Sequence, residues 1–334
     1  MATEKHDLLV IGGGPAGLTA ALTAEAHGMD TLVLDNSNLG GQAASATLIE
    51  NYPGFPNGIS GDQLMSNIVD QALKFSTEFE APSRVTHISK TEEGILATTE
   101  EGAQYLGNMA LISTGLEQRL LRARNLAAYT HRGVMYGSPV RTTQYENKEL
   151  FVVGGSDAAA QAAVHLSQFP GCNVHLIIRN SSLKKRASNH LIEKIATKSN
   201  IHIHANAEVT GVDGDGCLGQ VTIKTGTDKT ENLAADELFV LIGSEPRTTW
   251  LGQTVMRDRQ GFILSGSSIP ESARAKFVEQ TNGRQPLSHE TTMPGVFVAG
   301  DVRSGSGKWV TLAVFDGAAV IPELQSLAVH NRLH

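Results

Sequence analysis

One construction occurs twice in this chain, and it limits the possible folds more tightly than any other feature. The first copy, DLLVIGGGPAGLTAALTAEAHGMDTLVLD, occupies residues 7–35. Leu8–Ile11 reads as a short buried strand. Gly12, Gly14 and Gly17 then form G-x-G-x-x-G, an Ala-rich helix opens at Pro15 and Ala16, and a second apolar run, Thr31–Leu34, ends in Asp35. Gly12 permits the tight turn, Gly14 lets a pyrophosphate approach the backbone, and Gly17 lets the helix pack closely on the strand. The helix N-terminus faces the phosphates with unpaired N–H groups and its positive dipole end. Asp35 is placed to accept hydrogen bonds from an adenosine ribose.

The second copy, KELFVVGGSDAAAQAAVHLSQFPGCNVHLIIRN, occupies residues 148–180. Gly154, Gly155, Ser156 and Ala159 stand where G-x-G-x-x-A is expected, and Asp157 and Ala158 lead into the helix. A side chain at Ser156 crowds the point where a pyrophosphate would approach. This copy reads as a nucleotide-binding domain by fold whose ligand is altered or lost.

With 334 residues, 40% of them hydrophobic, the chain has material for two cores. The fold class is α/β, with two Rossmann-like (FAD/NAD(P)-binding) three-layer domains. Strands are expected near 84–88, 95–99, 109–114, 219–224, 237–242 and within 293–302. A long amphipathic segment is expected over 309–329, and the polar stretch 265–289 reads as a loop insertion with one helical turn. The domain order is residues 1–116, an inserted domain over 117–245, and a return to the first over 246–334.

A net charge of −7 argues against non-specific nucleic-acid binding. No apolar run is expected to reach the roughly 20 residues of a membrane span. The N-terminus moves directly into a strand, so the expectations are no signal peptide and a cytoplasmic location. Cys172 and Cys217 lie far apart, so neither a C-x-x-C motif nor a metal site is expected, and both cysteines read as structural.

Four further segments resemble thioredoxin-reductase-like flavoproteins of the pyridine nucleotide-disulfide oxidoreductase family, and the match spans nearly the whole chain. LGGQAASATLIENYPGFPNGISGDQL (39–64) is similar to the family's Gly-Gly-Gln and Ile-Glu-Asn-Tyr-Pro-Gly-Phe signatures. It implies that Gly41, Gln42, Thr47 and Asn51 line an FAD, and the resemblance adds Val85. STG (113–115) resembles an Ala-Thr-Gly turn against the cofactor and implies Thr114 and Gly115. IGSEPRT (242–248) resembles the hinge between domains. AGDV (299–302) implies Gly300, with Asp301 holding the ribityl chain. Lys308, Trp309 and Val310 stand where the family has Arg-Gln-Ala, beside the flavin at a helix start whose dipole would stabilise negative charge on the reduced ring. Trp309 reads either as a cover for part of the isoalloxazine or as a core tryptophan.

Three departures accompany the resemblance. GVMYGSPVRTTQY (133–145) sits where the family carries Tyr-Cys-x-x-Cys-Asp, and the cysteine positions are Gly137 and Val140. A dithiol relay needs two sulfurs able to bridge, and these residues supply none. Arg141 replaces the acid that would protonate a leaving thiolate. Where the family has His-Arg-Arg to hold NADPH, the chain has Ile178, Arg179 and Asn180, followed by Lys184, Lys185, Arg186 and His190. Arg179 can pair with a 2′-phosphate; the cluster after it reads either as a phosphate grip or as a solvated face.

The resemblance therefore implies an FAD-dependent oxidoreductase, homodimeric, that lacks the family's dithiol. The catalytic residues are not named by the sequence. Its redox partner is a ferredoxin, a thioredoxin-like protein or a small molecule. The inserted domain binds NAD(P)H, a second FAD or nothing. Two alternatives stay open: a diflavin disulfide oxidoreductase with a second FAD in the altered site, and a non-catalytic flavin-binding redox module.

Overall fold

The computed structural model describes residues 4–46, 49, 51–137, 139, 145–185, 187–226 and 229–332. Of the positions singled out above, Thr47, Val140, Arg141 and Arg186 lie outside the described residues. The chain forms two compact units, Met1–Glu117 with Glu245–His334, and Gln118–Ser244.

The first unit is built on the sheet β3-β2-β1-β6-β5-β4, with β17 added to β6. Its strands are β1 (Lys5–Ile11), β2 (Thr31–Leu34), β3 (Glu78–Glu80), β4 (Val85–Lys90), β5 (Ile95–Thr99), β6 (Gln104–Ile112) and β17 (Val296–Val298). β1 pairs parallel with β2 and β6. The long β6 serves two partners in turn: its first half pairs antiparallel with β5, and its last residues, Ala110–Ile112, pair parallel with β17. β1 is apolar without alternation because both faces are covered. Leu8 and Val10 join one core with Ala16, Ala20, Phe297 and Leu324, while Leu9 and Ile11 join the other with Ile88, Ile263 and Val302.

Helix α1 (Pro15–Ala26) begins with proline at its first turn, where a missing N–H is harmless, and ends in a Schellman turn. There Gly28, at φ +76°, donates to Glu25 O and Met29 donates to Ala24 O. Helices α2 (Gly41–Ala44) and α3 (Gly61–Leu73) follow β2, and the Ser60 side chain caps α3 by accepting from Gln63 N–H.

Two sequence expectations need correction. Residues 265–289 contain a ten-residue helix, α6 (Glu271–Gln280), not a single turn. Phe277 is its one buried anchor, so the apolar repeat that marks a helix is missing from the sequence. The segment 309–329 is two helices, α7 (Val310–Ala319) and α8 (Ile321–Arg332). Pro322 has no N–H for the carbonyl of Ala318 and breaks the ladder there. Contrary to expectation, Val310–Val329 has the length and apolarity of a membrane span, 20 residues at mean hydropathy 1.4. Ala313, Val320, Ile321, Leu324 and Leu327 of this stretch lie in the same core as β1 and α1.

The second unit has a parallel sheet, β11-β10-β9-β15-β8, and an antiparallel sheet, β12-β13-β14. The parallel strands are β8 (Val134–Tyr136), β9 (Glu149–Val153), β10 (Asn173–Ile177), β11 (Ile201–His204) and β15 (Glu237–Val240). The antiparallel ones are β12 (Ala207–Asp213), β13 (Gln220–Thr225) and β14 (Thr230–Ala234). Helices α4 (Asp157–Leu166) and α5 (Asn189–Ala196) belong to the core containing Leu150, Val152 and Leu176; Phe151, Val153 and Ile177 pack with β12 and β13. Short strands β7 (Leu116–Gln118) and β16 (Ser244–Pro246) pair where the chain passes between units.

A partly buried polar cluster lies on the parallel sheet of this second unit. His175 and His202 are register partners on β10 and β11, and His204 follows on the same face. Glu149 accepts from His175 Nε2 at 3.0 Å, which leaves neutral His175 with a lone pair on Nδ1, 2.9 Å from His204 Nε2. His204 is therefore the donor in that second bond. Burial lowers the pKa of His175, with His202 adding to it and Glu149 opposing. Burial also lowers that of His204, assisted by the neighbouring His175 and His202 and opposed by Glu231.

Folded pKa values below the unfolded 6.5 mean that the unfolded chain takes up protons first, so stability present above that pH is lost as pH falls through it. The melting temperature of the wild type is expected to drop more between about pH 7.5 and 5.5 than that of H175Q/H204Q. An equal drop in both proteins contradicts the assignment.

Candidate functional site

The C-terminal ends of β1 and β6 and the start of α1 converge on a cradle made by close backbone approach. Gly12 has φ +109°, and a Cβ there would lie 2.5 Å from Ser113 O. A Cβ on Gly17 would lie 1.9 Å from Gly12 O. These two positions are fixed by packing. Gly14 differs: a Cβ there would make only ordinary contact, with Gly41 Cα at 4.0 Å, so packing within the chain does not require glycine, and close approach of a pyrophosphate does. Gly41, at φ +56°, packs against Gly14, whose Cα lies 3.1 Å from where a Gly41 side chain would begin. Pro15 and Ala16 form the first turn of α1. Ser113, where the family has alanine, donates its hydroxyl to Gly12 O at 2.8 Å, so the extra oxygen is satisfied within the turn.

Asp35 closes β2 and is buried. Its Oδ2 accepts the Gly13 N–H at 2.6 Å and its Oδ1 accepts the Ser37 N–H at 2.8 Å, which aims the carboxylate at the glycine turn. Gln42 on α2 donates to Leu116 O. Thr114 donates to Arg247 O at 3.1 Å, and Gly115 has φ +64° with open space beside it. Val85 is buried at the start of β4. The exposed Asn51 accepts from Thr311 at its carbonyl, 3.3 Å, and Val310 packs on the cluster containing Ile49, Tyr52 and Phe55. The structure thus brings Asn51 and the cluster of Ile49, Tyr52 and Phe55 against the start of α7.

Gly300, at φ +77°, carries the chain past Ala16, whose Cβ lies 2.7 Å from where a side chain would begin. Asp301 follows. Its Oδ1 is buried and has no hydrogen-bond partner. Burial raises its carboxyl pKa to about 6, Lys308 opposing and Asp316 adding to the rise. Lys308 turns its ammonium onto its own loop, donating to Asp301 O at 2.6 Å and Ser306 Oγ at 2.7 Å, and lies over the Phe262 ring at 4.2 Å. Trp309 caps α7 and is 65% exposed, so it is not a core tryptophan.

The second fingerprint, in the other unit, follows the same plan with one change. Gly154 has φ +151°, with Leu241 O 2.4 Å from a Cβ position, and Gly155 is open. Ser156, at the place equivalent to Gly14, is the N-cap of α4 without a side-chain cap bond. Asp157 accepts the Ser188 N–H at 2.6 Å, while Ala158, Arg179 and Lys184 are exposed. Gly137, at φ +121°, follows β8 with nothing near a Cβ position. Cys172 is buried and donates to Leu166 O at 3.0 Å; Cys217 is exposed, and both are free thiols.

The profile of the family described as "Pyridine nucleotide-disulphide oxidoreductase" matches residues 6–317. The chain belongs to that family. It is 31% identical over 314 residues to a thioredoxin reductase of Treponema pallidum, covering 94% of each protein. It is 32% identical over 312 residues to one of Escherichia coli O157:H7, covering 90% of each. Among solved structures, thioredoxin reductase from Streptococcus pyogenes matches with TM-score 0.77 at 27% identity, covering 97% of this chain and 98% of that one. The one from Giardia duodenalis matches with TM-score 0.78 at 26% identity, covering 98% and 100%.

This member of the pyridine nucleotide-disulphide oxidoreductase family is a thioredoxin-reductase-like, flavin-dependent oxidoreductase of α/β fold. Its residues fit FAD. The unpartnered Asp301 oxygen requires a donor, which a polyol hydroxyl supplies, and glycine at position 14, which packing within the chain does not require, suits close approach of a pyrophosphate. Sequence reasoning passed over Asp316, Arg303 and His289, which join around the Gly300–Asp301 turn. The available signal was a lone acid in the apolar run VTLAVFDGAA.

Asp301 is placed for a ligand at a cost to the fold. Its folded pKa of about 6 lies above the ordinary 3.8, so stability falls as pH rises through that window. D301N is expected to stabilise the FAD-free protein by ~1–3 kcal/mol near neutral pH and to weaken FAD binding by about tenfold or more. Denaturant titration of the apoprotein and FAD equilibrium binding check both. A variant that is less stable and binds FAD normally contradicts the assignment.

Proposed function

We propose that this protein passes electrons through a bound FAD straight to an external acceptor, with no protein dithiol between them. The observation that carries this reading is the location of the sulfur. The family's dithiol would stand at positions 137 and 140; the chain's two cysteines stand instead at 172, buried, and 217, exposed, and both are free thiols. Burial raises the Cys172 thiol pKa, which makes it a poor nucleophile. Gly137 supports the same reading from the position where a family cysteine would stand.

FAD, when bound, supplies two-electron acceptance and release. The chain's own residues do the rest. Gly14 and Gly41 admit the pyrophosphate, Asp35 receives the ribose, and Asp301 accepts from the ribityl hydroxyls. The ten-residue α7 starts at Val310 and directs its positive end toward the same region. The electron donor is a pyridine nucleotide taken up by the second unit, a reading supported by the opening at Gly155 and the exposed Arg179 and Lys184 beyond β10. Exposed Trp309, Leu312 and Phe315 along α7 support a second copy of the chain as a partner. A cytoplasmic site of action belongs to the same proposal.

Anaerobic mixing with NADH and with NADPH tests donor and thiol together. The flavin of C172A/C217A is expected to be reduced, and reoxidised by the same acceptor, within about twofold of the wild-type rates. Loss of reoxidation by about tenfold or more, in a folded variant that still takes up electrons, overturns the reading. No reduction by either nucleotide overturns the donor assignment.

A further inference from the structure

Asp316 lies within α7, 4% exposed and surrounded in sequence by apolar residues. A carboxylate so placed is tolerated only when its lone pairs are filled, and three of its four contacts lead back to one turn. Its Oδ2 accepts the Gly300 N–H at 2.8 Å and Arg303 Nε at 2.8 Å. Its Oδ1 accepts Arg303 Nη2 at 2.7 Å and His289 Nε2 at 3.2 Å. Glu323 of α8 accepts from His289 Nδ1 at 2.7 Å and from the His289 N–H at 3.0 Å.

The charges balance as two anions and two cations. Burial lowers the His289 pKa, but the bonds to Asp316 and Glu323 outweigh it and raise the group to about 9. Burial would raise Asp316, but its bonds to His289, Arg303 and Gly300 hold it well below the usual carboxylate range.

Gly300 is the residue before Asp301, and Arg303 lies two residues after it. From the other direction Lys308 holds Asp301 O and Arg303 O, at 2.6 and 3.3 Å. The turn is thus clamped through its neighbours and its backbone, while the Asp301 Oδ1 atom has no partner. A side chain held this way loses little further freedom when a ligand arrives.

We propose that Asp316, paired with Arg303 and His289, is a positioning residue that presents Asp301 to the ribityl chain of FAD and so sets cofactor affinity without touching the cofactor. The inference rests on FAD as the bound cofactor.

The test is a double-mutant cycle on FAD equilibrium binding by apoprotein, with D316N, D301A and the pair, and apoprotein melting recorded for each. D316N is expected to bind FAD at least about tenfold more weakly, and to have less than about a twofold effect in the D301A background, because the two act through one contact. An effect of D316N that is equally large without the Asp301 carboxyl marks general scaffolding and overturns the proposal, as does unchanged affinity in D316N. Wild-type protein that binds no FAD would instead overturn the cofactor reading.

If D316N does not fold, H289N carries the test. The titratable groups facing His289 are Asp316 of α7 and Glu323 of α8, with Arg303 beyond Asp316. Wild-type FAD affinity should fall from about pH 8 to 9.5 as the His289 proton leaves, and H289N should be flat over that range at lower affinity. Wild-type affinity that is constant there overturns the proposal.

Discussion

The architecture of the first unit depends on how closely the N-terminus of α1 sits on the turns that end β1 and β6. A methyl group on Gly17 would fall 1.9 Å from the Gly12 carbonyl, and one on Gly317 would fall 2.1 Å from the Ala16 carbonyl. No side-chain adjustment relieves a clash with backbone, so glycine is required on two successive layers, α1 on the sheet and α7 on α1. Alanines 20, 21 and 24, all buried, continue the same close contact down α1. This approach brings the helix dipole, Gly14 and the Asp301 turn into one place. The contact face of α1 is consequently built from small residues, while Leu8, Met109, Phe297 and Leu324 fill the core beside it.

Much of that was legible in the sequence, because glycine spacing and β periodicity are local signals. Thr31–Leu34 is a strand with the limits its apolar run implies, and Asp35 ends it. Elements whose cause is tertiary were not legible. Helix α6 is held by a single buried phenylalanine and by the bidentate pair of Arg284 with fully buried Glu290 beyond its end, at 2.5 and 2.7 Å. Nothing in a polar 25-residue stretch announces such a pair. The break between α7 and α8 was signalled by Pro322, but the continuous apolar pattern on either side concealed it. The network of Asp316, Arg303, His289 and Glu323 joins residues up to 34 positions apart, a separation at which sequence patterns carry no information. Of the site, the glycines and the two acids could be read; the groups that hold those acids could not.

Within the family, residues of the chain fit the cofactor-binding half of the machinery, and its sequence has no C-x-x-C pair for the sulfur half. The two halves are separable because they draw on different physics. The cradle needs only close packing and a few oriented polar groups, all within one unit. A dithiol relay needs two thiols at bridging distance beside the flavin, and the sequence around Gly137 offers none. Losing the relay removes the reason for an adjacent acid, which agrees with arginine at position 141. In the proposed reading, reducing equivalents leave from the cofactor itself.

Counting electrons tests this most directly. Anaerobic reductive titration of the holoprotein with dithionite, followed by flavin absorbance and thiol assay, gives the number of electrons stored per flavin. The account predicts about two, the capacity of FAD alone, with no change in free thiols. An uptake of about four electrons per flavin, with two new thiols appearing, would show a redox-active disulfide and contradict it.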